Sequence, residues 1–345
     1  MSWVVIAKRS LQLALLSVIG LGSVTAVQAA APTELKQRSF CVFDPLGANG
    51  SLYGTAKDFA TKALEWGYDL DLHAYPDEKI ASDDFKAEQC DAVLLTGARA
   101  RPFNNFTSTV EAIGAVPSET VMRNLVHMLA TPKAAKYMVE GRYEVAGIMP
   151  AGPIYLFLRD RTVDSVEEMS GKRIATIDYD EPSKRLVRHV GASIVPSNSA
   201  NFSGKFNNGS VDVAYAPAVA YKPLELYKGI GDKGGIIRFN LAYLDFQIVI
   251  HKDRFDPQFG INSRRTIAEA YDKVAEFVQR DTQEIPDEYW VDLDPADVEK
   301  YNLMLRDVRL VLREDGVYHP TMLKILRKLR CRENPTNAEC VEKLE

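Results

Sequence analysis

Strand-like and helix-like runs alternate along this chain in two separate series, and that order restricts its fold more than any other feature. In the first series CVFDPLG (41–47) precedes a stretch from Tyr53 to Trp66 whose apolar residues recur every three or four positions, the period of an amphipathic helix. YDLDLHAY (68–75) alternates with period two, a short helical piece spans Asp83–Glu88, and DAVLLTG (91–97) is again strand-like. Strands separated by helices imply a parallel sheet covered on both faces. A glycine-containing strand is expected near Val110–Val116, then helices over Ser118–Leu129 and from Pro132 to near Gly141.

The alternation restarts after YEVAGIMPAGPIYLFLRD (143–160), which reads as two strand-like segments around a Pro-Gly-Pro turn region. VDSVEEM (163–169) predicts a short helix, KRIATID (172–178) a strand, and EPSKRLVRHVG (181–191) a helix with proline in its first turn. ASIVPS (192–197), NFSGKFNNG (201–209) and VDVAYAP (211–217) follow as strand, short helix and strand. GGIIRFN (234–240) and DFQIVIHKD (245–253) return the chain to the first series, and from about Arg264 the pattern is helical, most clearly over 294–312 and 321–329. The expected architecture is α/β and two-lobed. Lobe I takes 31–147 plus about 241–290, lobe II takes 148–240, and helices of 291–345 pack on the lobes. Ligands of open α/β sheets bind beyond the C-terminal strand ends, which here is the cleft between lobes.

The first thirty residues have the pattern of a secretory signal peptide: Lys8 and Arg9, an apolar run from Leu11 to Val27, and small residues at Val27-Gln28-Ala29. An uncleaved membrane anchor is the alternative for a run of this length. Export to the periplasm removes the cytoplasmic nucleotide and nicotinamide pools from the available chemistries. Without Lys8 and Arg9 the chain holds 40 basic and 47 acidic residues, a net charge of −7, which argues against nucleic acid as a partner. Four cysteines in an oxidising compartment read as two disulfides. Cys331 and Cys340 close a short loop, leaving Cys41 and Cys90, each at the start of a strand-like run. A metal site is the alternative, but no Cys-x-x-Cys or Cys/His cluster supports one; no metal and no cofactor are expected.

The order Glu167-Glu168-Met169-Ser170-Gly171-Lys172-Arg173-Ile174, then Val190-Gly191-Ala192, Ile194-Val195-Pro196 and NNGSVDVAYAP (207–217), resembles the solute-binding proteins of tripartite (TRAP-type) transporters. Across about 36–330 the chain is similar to the AdeT-like branch of solute-binding proteins. The resemblance implies a type II, TRAP receptor-like periplasmic-binding-protein fold with hinge strands. It further implies capture of a small polar or anionic organic ligand, delivery to integral membrane transporter subunits, and a monomer without enzymatic activity. A role as accessory component of a multidrug efflux system is the alternative. One departure stands out: the position of the family's carboxylate-clamping arginine, in G-x-K-I-R, is occupied by Ala175, with Lys172 and Arg173 displaced toward solvent.

Candidate ligand-binding residues follow the strands. Asp44, Asn49, Ser51 and Tyr53 lie in a strand-to-helix loop, either an anion-holding helix start or an ordinary loop capped by Ser51. Thr96, Arg99, Arg101 and Phe103 follow the third strand, where one arginine could replace the missing clamp or both could be surface residues. Asp178 and Tyr179, then Tyr215 and Pro217, end second-lobe strands; Tyr215 suits a cleft or the core. Asn240 and Tyr243 would line the hinge or merely pack there. Gly229-Ile230-Gly231-Asp232-Lys233-Gly234 matches G-x-G-x-x-G, but it follows a helix-like ELYKG and reads as a turn.

Overall fold

The two series build one sheet. In the computed structural model, which describes residues 34–345, the strands are β1 (Lys36–Phe43), β2 (Tyr68–Tyr75), β3 (Ala92–Thr96), β4 (Val139–Glu140), β5 (Tyr143–Leu158), β6 (Arg173–Ile177), β7 (Ser193–Ser197), β8 (Val213–Pro217), β9 (Gly235–His251) and β10 (Trp290–Val291). The predicted signal peptide lies outside the described residues. Strand order is β2-β1-β3-β9-β5-β8-β6-β7, with β10 added to β9 and β4 to β5. β1 pairs parallel with β2 and β3, and β6 parallel with β7 and β8, whereas β3-β9, β9-β5 and β5-β8 are antiparallel. Two parallel three-stranded halves are therefore joined through two long antiparallel strands, and each half reverses direction beside its first strand, at β1/β3 and at β6/β8.

The joining strands correct the sequence reading. Residues 143–160 were expected to split at the prolines, and 234–253 to form two strands; each region is one continuous strand, of 16 and 17 residues. Register shifts at Val145/Gly147, Pro150/Gly152 and Ile154/Leu156 absorb the irregular residues, as β-bulges do. Gly152 is required at its bulge: its φ is +100°, and a Cβ there would stand 2.5 Å from Val278 Cγ1.

The strand expected at Val110–Val116 is also corrected. Thr109–Glu111 is a single 3-10 turn and 112–116 is irregular though buried. Its backbone groups are satisfied by other elements instead of a ladder. Gly114 N–H donates to Leu241 O, Ile113 N–H to Tyr318 Oη, and Arg309 and Arg330 donate to the carbonyls of Ile113 and Ala115. Those arginines come from helices Pro295–Glu314 and Pro320–Glu333, whose apolar stripes (Tyr301, Leu305, Val308, Leu312; Met322, Leu323, Leu326) are buried in the main core.

Both expected disulfides form. Cys41 on β1 bridges Cys90, just before the adjacent β3, with Cα atoms 5.9 Å apart; Cys331 bridges Cys340 at 5.6 Å. The G-x-G-x-x-G match lies at the end of the short helix Tyr227–Ile230 and in the turn into β9.

Candidate functional site

The C-terminal ends of the two half-sheets meet across a polar contact. Helix Glu78–Lys86 follows β2, and its buried face is Glu78, Ala81, Ser82 and Phe85, so a carboxylate occupies the first position of an otherwise core-facing stripe. Glu78 accepts from Thr96 N–H at 2.7 Å and from the hydroxyl of Tyr179, which lies just past β6. The Arg99 guanidinium lies 3.4 Å from the centre of the Tyr179 ring and 4.0 Å from Glu78 Oε2. Burial raises the Glu78 pKa against the opposing hydrogen bonds from Tyr179 and Thr96. Burial and the Glu78 charge hold the Tyr179 phenol well above its ordinary range.

Beneath this contact sits a second set of buried polar groups. Glu111 accepts three backbone N–H bonds, from Gly97 at 3.1 Å, Ala98 at 2.8 Å and Asp245 at 3.0 Å. Gln247 Nε2 donates to Asp245 Oδ1 at 2.9 Å and to Thr107 O at 3.0 Å. Asp245 and Gln247 are fully buried on β9, and Asp245 Oδ2 and Gln247 Oε1 have no donor. Burial pushes the Asp245 carboxyl up to about 8, and burial followed by the Asp245 charge raises Glu111 well above the usual range. Gly97 is closely enclosed here: a Cβ would stand 2.9 Å from the Glu111 carboxyl carbon and 3.0 Å from Gln247 Nε2. From the other half, Asp180 caps helix Glu181–His189 through Ser183 N–H and accepts from Tyr215 Oη at 3.2 Å. Burial, then the Asp180 charge, holds Tyr215 well above the ordinary phenol range.

Thr96, Arg99, Tyr179 and Tyr215 are thus the sequence candidates that converge. Arg101 is separate from Arg99: its Nη1 donates to Val317 O and its guanidinium stacks on Tyr318. Phe103 packs edge-on against Phe85 and Tyr143, and Tyr243 is likewise buried in the core. Asn240 donates to Pro117 O; Asp178 and Asn49 are exposed, and Pro217 ends β8 opposite Ile154. The loop at Asp44–Tyr53 resolves differently from both expected forms. Asp44, not Ser51, ties the helix start by accepting from Leu46 and Tyr53 N–H at 2.9 and 3.0 Å, and Gly50 is the N-cap. Ala175 is buried in the smaller core cluster, and Arg173 pairs with Asp212 at the far end of β6. A cavity of about 360 Å3 lined by Arg159, Asp160, Lys172 and Asp212 opens at that far end, away from the converging side chains.

Sequence reasoning missed Glu78, Glu111, Asp245 and Gln247. A signal was present for the last two, since LAYLDFQIVI places two polar residues at alternate positions of an otherwise apolar run. Among the described residues no group of three or more His, Cys, Asp or Glu side chains could hold a metal, and no helix is long and apolar enough to cross a membrane.

A sheet of two parallel halves on long shared strands is the fold of TRAP periplasmic solute-binding proteins. One from Desulfovibrio salexigens with bound orotic acid superposes with a TM-score of 0.70 at 10% identity, covering 86% of this chain and 99% of that one. One from Shewanella oneidensis with bound succinate gives 0.66 at 14%, covering 86% and 99%. Residues 60–345 match the family described as Solute-binding protein AdeT 1/2, and the chain belongs to that family. It is 41% identical over 299 residues to the Probable solute-binding protein AdeT1 of Acinetobacter baumannii, covering 87% of this chain and 98% of that protein. The family and its structural neighbours are solute-binding proteins, not enzymes.

Proposed function

We propose that this is an exported periplasmic receptor that encloses a small polar solute between two lobes and delivers it to a membrane transporter. The lobes are 31–147 with about 241–290, and 148–240, with the helices of 291–345 packed against them. The observation that carries the reading is the contact of Tyr179 with Glu78 and Arg99, which ties the strand ends of one half to those of the other. β5 and β9 are the only sheet connections between the halves among the described residues, so bending there opens and closes the cleft. A solute that contacts both halves binds the closed form better and shifts the population toward it.

Mature protein is titrated with a panel of amino acids, amines, sugars and organic acids while melting temperature and X-ray scattering radius are followed. At least one solute class raises the melting temperature and reduces the radius of gyration. A flat response to the whole panel refutes the receptor reading. Export is checked by the N-terminal mass of the mature protein, expected to begin after residue 29 to 31.

A further inference from the structure

The amides that open the helices around this cleft are already taken by the chain's own carboxylates. Asp44 holds Leu46 and Tyr53 N–H, Glu78 holds Thr96 N–H, Glu111 holds Gly97 and Ala98 N–H, and Asp180 holds Ser183 N–H. Such amides are where an anionic solute would be received. Of the two arginines only Arg99 keeps a buried donor, its Nε, without a hydrogen-bond partner. Arg101 is spent on the Val317 carbonyl, while Arg99 faces Glu78 and stacks on Tyr179. At these amides an incoming carboxylate would have to displace one of the chain's own carboxylates from its donors.

On β9, what remains unsatisfied is of the opposite kind. Both hydrogens of the Gln247 amide are used, by Thr107 O and Asp245 Oδ1, which fixes its orientation and leaves Oε1 as a bare acceptor. Asp245 Oδ2 has no partner either and becomes a bare acceptor once the carboxyl ionises, and both side chains are fully buried. A buried acceptor without a donor costs about 1–3 kcal/mol, so this spot gains by receiving N–H groups. The groups facing Asp245 bring no cation: Glu111 comes from the 3-10 turn, with Asp180 beyond it, while β5 offers Pro150 in register. Arg99 is balanced by Glu78.

We propose, resting on the receptor reading, that the solute is a cationic amine, whose ammonium group sits against Asp245 Oδ2 and Gln247 Oε1, with the carboxyl groups of Glu111 and Asp180 beyond. Because burial leaves Asp245 protonated near neutral pH, the arriving ammonium displaces that proton to solvent, and the carboxylate then pairs with the cation.

The test is calorimetric titration of the full mature chain with 1,4-diaminobutane and with succinate, two four-carbon probes of opposite charge. Diaminobutane is expected to bind, releasing about one proton at pH 7 as read from two buffers of different ionisation enthalpy. Its affinity should rise close to tenfold per pH unit between pH 6 and 7.5, the slope of one competing proton, and succinate should give no heat. Asp245→Asn should weaken diaminobutane binding at least 100-fold and abolish proton release; if that variant does not fold, proton release in the unaltered protein still decides. Succinate binding with no response to diaminobutane overturns the amine assignment and leaves the receptor reading standing. Amine binding without proton release overturns the assignment to Asp245. No response to any member of the wider panel overturns both readings.

Discussion

Removing one hydroxyl, in Tyr179→Phe, isolates the bond that joins the two halves of the site. Phenylalanine keeps the ring on which Arg99 stacks, and Glu78 keeps Thr96 N–H and the Arg99 charge, so the carboxylate is not orphaned. What is lost is one hydrogen bond to a charged group, worth about 1.5–3 kcal/mol. At about 2 kcal/mol the closed-to-open ratio falls roughly 30-fold. A solute that binds only the closed form loses apparent affinity by up to the same factor. The assay is small-angle scattering without solute, paired with thermal melting. The radius of gyration should increase in the variant while its melting temperature changes little, because opening exposes the contact without unfolding either half. An unchanged radius together with a stability loss of the whole 2 kcal/mol would refute the reasoning, since the bond would then belong to one rigid body.

Three other outcomes follow from the same geometry. Folded Asp245 and Glu111 hold protons that the unfolded chain releases above about pH 4, so stability should fall as pH rises from 6.5 to 8, by up to about 1.4 kcal/mol per pH unit for each full proton. His251, whose pKa burial lowers, works the other way below about pH 6.5; urea unfolding across this range should show the decline, and Asp245→Asn should flatten it. Gly97→Ala forces a methyl against Glu111 and Gln247 and should destabilise by about 1–3 kcal/mol, with a circular-dichroism melt equal to the parent counting against the packing described. Loop-closure entropy assigns about 4 kcal/mol to Cys41–Cys90, at a sequence separation of 49, and about 2.5 kcal/mol to Cys331–Cys340, at a separation of 9. Paired Cys→Ala variants compared by urea midpoint should rank in that order.

The parallel strands were legible because each carries its own local signal: an apolar run, a turn, then a helical period. β5 was not, because Pro150, Gly152 and Pro153 are local breakers whose effect is absorbed by bulges against β9, a partner strand remote in sequence. The stretch Val110–Val116 looked like a strand because it is apolar and buried, yet its burial comes from helices some 200 positions later. The paired cysteines were readable from count and position. Within the site, residues at strand ends were found by rule, and Tyr179, Arg99 and Thr96 do converge. Glu111 and Asp245 escaped because an isolated acid beside apolar neighbours resembles a surface position until the fold buries it, and Glu78 because it stands in a charged run, between Asp77 and Lys79. Arg99 and Arg101, equivalent in sequence, are separated by what each touches: a tyrosine ring across the cleft in one case, a backbone carbonyl in the other.

The bracing of the 112–116 loop by Arg309 and Arg330 bears on the order in which this protein can be finished. A chain synthesised from its N-terminus presents Glu111 and the loop behind it long before the arginines arrive. Until then the carbonyls of Ile113 and Ala115 have only water to bond. The first half-sheet can pair its strands early, but its polar floor must wait for the last helices. Completion of the candidate site is thereby coupled to arrival of the far end of the chain, and a truncated product would carry intact strands around an unbraced loop.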